Sequence, residues 1–222
     1  MFQSNKEYND FLIQSGVHTF LQETPNKLLE TQENQSKSPE KKDVKKFDEI
    51  TGIDDLIPII TNHESALKNK AKKLVLYNGN VNSNLMIIGE APGQEEDEQG
   101  IPFVGRAGQL LNKMLLAINV DRKDVYVTNV VPWRPPQNRT PTDQEILEFL
   151  PFLQKQIEII KPKFLYLLGS TAAKAILSTT LSLAKLRGKL YEYNTPNLGK
   201  PINVLVSYHP AFLLRSPNYK KE

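Results

Sequence analysis

An apolar run, Leu85-Met-Ile-Ile88, halts in a polar, glycine-rich segment, and a helical pattern leaves that segment at Leu110, Leu111, Met114, Leu115 and Ile118. The segment between them, Gly89-Glu-Ala-Pro-Gly-Gln-Glu-Glu-Asp-Glu-Gln-Gly-Ile-Pro-Phe-Val-Gly-Arg-Ala-Gly108, carries five glycines, two prolines and five acidic residues around a single phenylalanine. Such a stretch is too polar and too rich in glycine to be core. A strand that stops in a loop of this kind, with a helix behind it, is how an open α/β sheet builds a pocket at the carboxyl ends of its strands.

The rest of the chain fits that constraint. Nearly continuous apolar runs at residues 125–130, 164–169 and 204–209 join Leu85–Gly89 as strands covered on both faces. Helical patterns at 107–118, 143–160 and 171–177 separate them, with Thr142 or Asp143 capping the second and Glu145 in its first turn. Strand and helix alternating in this way argue for an α/β fold with a parallel, three-layer sheet. Composition changes near residue 50: residues 8–22 carry a short helical pattern, and 24–46 read as a solvated tether rich in Lys, Glu, Gln, Ser and Asn. The expected organisation is therefore an N-terminal extension, 1–46, and one domain, 47–222.

The absence of cysteine excludes disulfides, thiolate catalysis and cysteine-ligated zinc or iron–sulfur clusters. A net charge of +3 permits a polyanionic partner without demanding one. No apolar run approaches the ~20 residues that span a bilayer, and the N-terminus lacks the layout of a secretory signal, so a cytoplasmic location away from membranes is expected.

Three of the four expected strands lead into unusual loops. Besides the opening segment these are Thr128-Asn-Val-Val-Pro-Trp-Arg-Pro-Pro-Gln-Asn-Arg-Thr-Pro141 and Ser207-Tyr-His-Pro-Ala-Phe-Leu-Leu-Arg-Ser-Pro217. In a parallel sheet they converge on one edge, which can gather Glu90, Phe103, Asn129 and His209 around one pocket. An aromatic ring stacks on a flat heterocycle, and an asparagine amide offers a donor and an acceptor complementary to an imide edge such as that of uracil. A histidine donates to an oxygen gaining negative charge, and a carboxylate orients water or stabilises a developing cation. That set suits hydrolysis of an N-glycosidic bond through an oxocarbenium-like transition state. An enzyme acting on a duplex base must flip it out, and Leu213 and Leu214 beside Arg215 offer a wedge and a phosphate contact. Each residue alone has a plain structural reading: Phe103 as core, Glu90 as an acceptor of loop N–H groups, and Glu95-Glu-Asp-Glu98 as a solvated stretch rather than a metal cluster.

Four motifs in order, Gly89-Glu-Ala-Pro-Gly93, Gly100-Ile-Pro-Phe-Val-Gly-Arg-Ala-Gly-Gln-Leu-Leu111, Thr128-Asn129 with Arg134-Pro-Pro-Gln-Asn-Arg139, and His209-Pro-Ala-Phe-Leu-Leu-Arg215, resemble the type-4 uracil-DNA glycosylases. The likeness runs from about residue 65 to 217. It implies a three-layer α/β/α fold with a central four-stranded parallel sheet, and a monofunctional base-excision repair enzyme that releases uracil and leaves an abasic site. Under it Glu90 is catalytic, Phe103 stacks on uracil, Asn129 reads the pyrimidine edge and His209 stabilises the uracil anion. The loop holding Leu213, Leu214 and Arg215 would enter the minor groove. The implied partner is uracil-containing DNA, single- or double-stranded, met by a monomer.

The resemblance also implies a [4Fe–4S] cluster on four cysteines. Here the corresponding positions fall near Asn62, Ser65, Trp133 and Phe149. The expectation is thus a branch that works with no metal and no cofactor, its lost cluster replaced by the packing of Trp133 and Phe149. The segment Arg134–Arg139 has no histidine-bearing insertion, which speaks against the related branch that bonds covalently to uracil-DNA. A competing reading is a DNA-binding or interaction protein that kept the fold and lost activity. A nucleotide or sugar-phosphate hydrolase is a more distant one.

Overall fold

The computed structural model describes residues 47–221. The expected helix at 8–22 and the tether at 24–46 lie outside the described residues. In chain order the strands are β1 (Tyr77–Gly79), β2 (Leu85–Gly89), β3 (Tyr126–Asn129), β4 (Phe164–Leu168), β5 (Leu190–Tyr193) and β6 (Ile202–Ser207). The α-helices are α1 (Ile53–Asn62), α2 (Gln94–Gln99), α3 (Arg106–Ala117), α4 (Asp143–Ile160), α5 (Ser170–Leu177), α6 (Leu183–Leu186) and α7 (Pro210–Arg215).

The sheet has the order β1-β3-β2-β4-β6-β5. Its four inner strands are parallel, as the apolar runs require. The four-stranded expectation is incomplete, because two short antiparallel strands extend the sheet at its edges, β1 on β3 and β5 on β6. Edge strands carry little hydrophobic signal. β1 is only Tyr-Asn-Gly, and Leu190 of β5 is exposed. Strand β6 also starts at Ile202, before its apolar run, because Asn203 points away from the core.

Side chains alternate between the two faces with the strand period of two. Met86, Ile88, Leu165, Leu167, Val204 and Val206 pack with Leu56 of α1, Phe149 and Leu153 of α4, and Ile176 of α5. Ile87, Val127 and Leu168 pack on the opposite face with Leu111 and Leu115 of α3. Burying a side chain of this size contributes about 1.5–3 kcal/mol, so stability is concentrated in these two layers. The chain leaves β2 for β3 on one side and crosses back to β4 on the other. Right-handed crossovers then put α3 and α4 on opposite faces and open a crevice beside the carboxyl end of β2.

Helix α4 begins where its sequence signals it. Thr142 Oγ1 accepts from the Glu145 N–H at 3.2 Å, and the Thr142 N–H donates to Glu145 Oε2 at 2.8 Å. This reciprocal cap satisfies two N–H groups that the first turn leaves without helical partners. Arg139 closes on the same carboxylate at 2.6 and 2.7 Å, which fixes the proline-rich loop after β3 to the helix that follows. Among the described residues no helix is long and apolar enough to cross a membrane.

Candidate active site

Gly89 and Asn129 face each other across the parallel β2–β3 ladder at the carboxyl ends of both strands. A Cβ on Gly89 would lie 2.4 Å from Phe103 Cζ and 2.5 Å from Asn129 Oδ1. The bare backbone at residue 89 is therefore what lets the phenyl ring and the amide oxygen approach one another. Asn129 is 3% exposed, and its Oδ1 has no hydrogen-bond partner. A buried acceptor left unpaired costs about 1–3 kcal/mol, and this one stands open to a donor brought by a ligand.

Phe103 stands in the left-handed region, φ 56°, where a bulky side chain is strained by about 1–2 kcal/mol. Several neighbours hold it there. A Cβ on Gly108 would come within 1.8 Å of the Phe103 carbonyl oxygen, so only glycine lets α3 approach so closely. Arg122 donates to the carbonyls of Pro102 and Phe103. The ring is 6% exposed and belongs to the apolar layer beneath α3.

The acidic stretch is not the solvated run expected of it. Residues 94–99 form α2, and within it Glu96 and Asp97 are buried while Glu95 and Glu98 are exposed. Glu96 accepts from the N–H groups of Gly93 at 3.0 Å, Val104 at 2.9 Å and Gly105 at 2.8 Å, clasping the two ends of the loop together. Asp97 Oδ1 accepts from the N–H of Lys72 at 2.8 Å and of Lys73 at 3.3 Å, and Arg134 lies 3.8 Å from Oδ2. The carboxylates replace backbone acceptors that an irregular loop lacks. The offset from Gly93 to Glu96, a cap residue and its third helical successor, was the available signal.

His209 ends the loop after β6, its ring tilted by 31° to that of Phe103 with centroids 5.5 Å apart. Its Nδ1 accepts from the Ala211 N–H at 3.2 Å. The neutral ring therefore carries its proton on Nε2. Burial, reinforced by the nearby Arg215 charge, pushes the imidazole pKa down to about 4 from 6.5, against a weaker opposing effect of Glu96. At neutral pH His209 is an uncharged N–H donor. Glu90 follows β2 directly, is partly exposed, and accepts a hydrogen bond from Thr171. Sequence reasoning missed Glu96, Arg122 and Thr171, whose roles depend on residues distant in the chain.

Helix α7 packs against α3, and Arg106, Ala107, Ala211, Leu214 and Arg215 line an open depression between them. Of the two leucines expected to meet DNA, Leu213 is 6% exposed and turned inward, whereas Leu214 borders the depression. Arg106 and Arg215 are both exposed at its margin.

A profile of the Uracil DNA glycosylase superfamily matches residues 76–222. The chain belongs to this superfamily. A type-4 uracil-DNA glycosylase of Archaeoglobus fulgidus is 39% identical over 180 residues, covering 78% of this chain and 88% of that protein. One from Pyrobaculum aerophilum is 43% identical over 155 residues, 68% of this chain and 78% of that protein. One from Sulfurisphaera tokodaii is 44% identical over 144 residues, 63% and 64% respectively.

This kinship corrects the expectation of an enzyme with no cofactor. The relatives are named type-4 uracil-DNA glycosylases, the group whose resemblance implies an iron–sulfur cluster, so cofactor independence does not follow from the missing cysteines. Their absence excludes thiolate ligation and nothing more. The residues at the four positions do not fit a cysteine-held cluster. Asn62 is exposed, Ser65 Oγ accepts from the Leu67 N–H, and Trp133 and Phe149 are core. The His63 ring meets Phe149 and Phe152 edge-on at 5.8 and 5.3 Å. Among the described residues no group of three or more His, Asp or Glu is placed to hold a metal ion.

Proposed function

We propose that this chain is a monofunctional uracil-DNA glycosylase of base-excision repair, hydrolysing the N-glycosidic bond of a flipped-out uracil and leaving an abasic site. Its type-4 relatives support the activity. The observation that carries the reading of the pocket is the unpaired, buried Asn129 Oδ1 beside the Phe103 ring.

In this reading the uracil ring stacks on Phe103 while Asn129 Oδ1 accepts from N3–H and the amide N–H donates to O4. Cytosine offers the reverse pattern on that edge, an acceptor at N3 and a donor at N4, so it opposes like with like. As the glycosidic bond breaks, electrons pass to the base and O2 gains charge. His209 Nε2–H donates to that oxygen, and because the ring is already neutral it stabilises the anion without a prior proton loss. Glu90 orients the attacking water and offsets positive charge on the sugar. Arg215 meets phosphate, and Leu214, bordering the depression, is the better placed of the two leucines to fill the gap left by the base. The protein acts as a monomer in the cytoplasm.

The test is excision from a uracil-containing oligonucleotide followed by alkaline cleavage of abasic sites. Asn129→Ala and His209→Ala are each expected to slow excision about 100-fold or more. Cleavage at wild-type rate in both would refute this pocket. Binding without cleavage by the wild-type chain, at high enzyme excess, would favour a DNA-binding protein that lost activity.

A further inference from the structure

Glu90 and Thr171 are 81 residues apart in the chain, yet Thr171 Oγ1 donates to Glu90 Oε2 at 2.5 Å. The sheet brings them together. Glu90 follows β2, Thr171 lies in the first turn of α5 after β4, and those strands are parallel neighbours with Ile88 opposite Leu167. Thr171 is 8% exposed, while Glu90 is partly exposed. Among the described residues this is the side-chain hydrogen bond that Glu90 makes.

We infer that Thr171 is a positioning residue for the glycosylase reaction, fixing one oxygen of Glu90 so that the other is aimed at the attacking water. The inference rests on the catalytic reading of Glu90 given above. A glutamate side chain turns about three bonds, and misplacing a catalytic group by 1 Å costs about 100-fold in rate. A donor held by the fold removes that freedom. Threonine suits the task because its β-branch stiffens χ1. In the first turn of a helix its hydroxyl has no preceding turn of carbonyls to capture it. The bond is charge-assisted, the strong class of O–H···O⁻ contact. The arrangement joins the carboxyl ends of β2 and β4 at the point where the direction of the crossovers reverses, the place where sheets of this kind hold their ligands.

Single-turnover excision distinguishes positioning from simple packing. Thr171→Val, which keeps the shape and loses the donor, and Thr171→Ala are expected to slow excision about 10- to 100-fold. Thr171→Ser restores most of the rate. Affinity for an oligonucleotide carrying an abasic-site analogue stays unchanged in all three. In a Glu90→Ala background the Thr171 substitutions add no further loss, because the group being positioned is gone. Wild-type rates for Thr171→Val and Thr171→Ala beside a crippled Glu90→Ala would overturn the positioning role alone. An equal loss in both backgrounds would overturn it too, showing a general structural effect. Full activity of Glu90→Ala would instead remove the catalytic reading of Glu90, and the inference with it.

Discussion

Arg122 grips Phe103 by its backbone: Nη2 donates to the Pro102 carbonyl at 2.7 Å and Nη1 to the Phe103 carbonyl at 3.4 Å. The Arg122 side chain is half-buried, and its Nε is a buried donor with no partner. Desolvation of the charge is unfavourable by itself and is opposed by the hydrogen bonds that the guanidinium donates to Pro102, Phe103 and Asn112. Because the fork geometry matters, lysine does not replace it. Arg122→Lys and Arg122→Met are expected to slow uracil excision about 10-fold through a loosened stacking ring. Wild-type excision rates in both would show that Phe103 needs no such clamp.

Gly89 makes a sterically sharper case. An added methyl would push on Phe103 and on Asn129 Oδ1 at once, at 2.4 and 2.5 Å. Gly89→Ala is expected to lower the excision rate about 100-fold or more while the variant still unfolds cooperatively on heating. A variant as active as the wild type would mean that the two groups do not act at that separation.

The protonation of His209 gives a prediction free of any activity assay. Its folded pKa of about 4 lies below the ordinary 6.5, so this residue's contribution to stability is complete above pH 6.5 and declines as pH falls toward 4. The imidazole signals in an NMR titration should show a midpoint near 4. A midpoint between 6 and 7 would contradict an imidazole kept neutral for donation.

The capping box of α4 predicts a stability effect without a catalytic one. Thr142→Ala is expected to destabilise the fold by about 1 kcal/mol in chemical denaturation and leave excision unaltered. Arg139, through its hydrogen bonds, holds the Glu145 carboxyl at about 2, below the ordinary 4.5. The associated stability is therefore present above pH 4.5 and fades as pH falls toward 2. An acid-denaturation profile unchanged by Glu145→Gln would contradict this.

The four inner strands and helix α4 were legible because buried parallel strands are continuously apolar and because Thr142 and Glu145 form a local capping signature. Glu90, Phe103, Asn129 and His209 were legible as candidates because each stands at the end of a strand or in the unusual loop that the strand leads into. The edge strands were not, since β1 and β5 bury too little to leave a pattern. Glu96 was misread because local composition cannot say whether a carboxylate faces water or three backbone N–H groups. Thr171 and Arg122 were invisible for a related reason: what each holds is set by the order of strands, not by neighbouring residues. Leu213 and Leu214 looked equivalent in sequence, and only the packing of α7 on α3 separates a buried leucine from one beside the open depression.

The most direct measurement is the fate of a single uracil in an oligonucleotide incubated with the purified full chain. Mass spectrometry of the strand and chromatography of the released base should find one free uracil for each intact abasic strand, with strand breakage only after alkali. An unchanged strand at enzyme excess, with the protein bound to it, would contradict the glycosylase account.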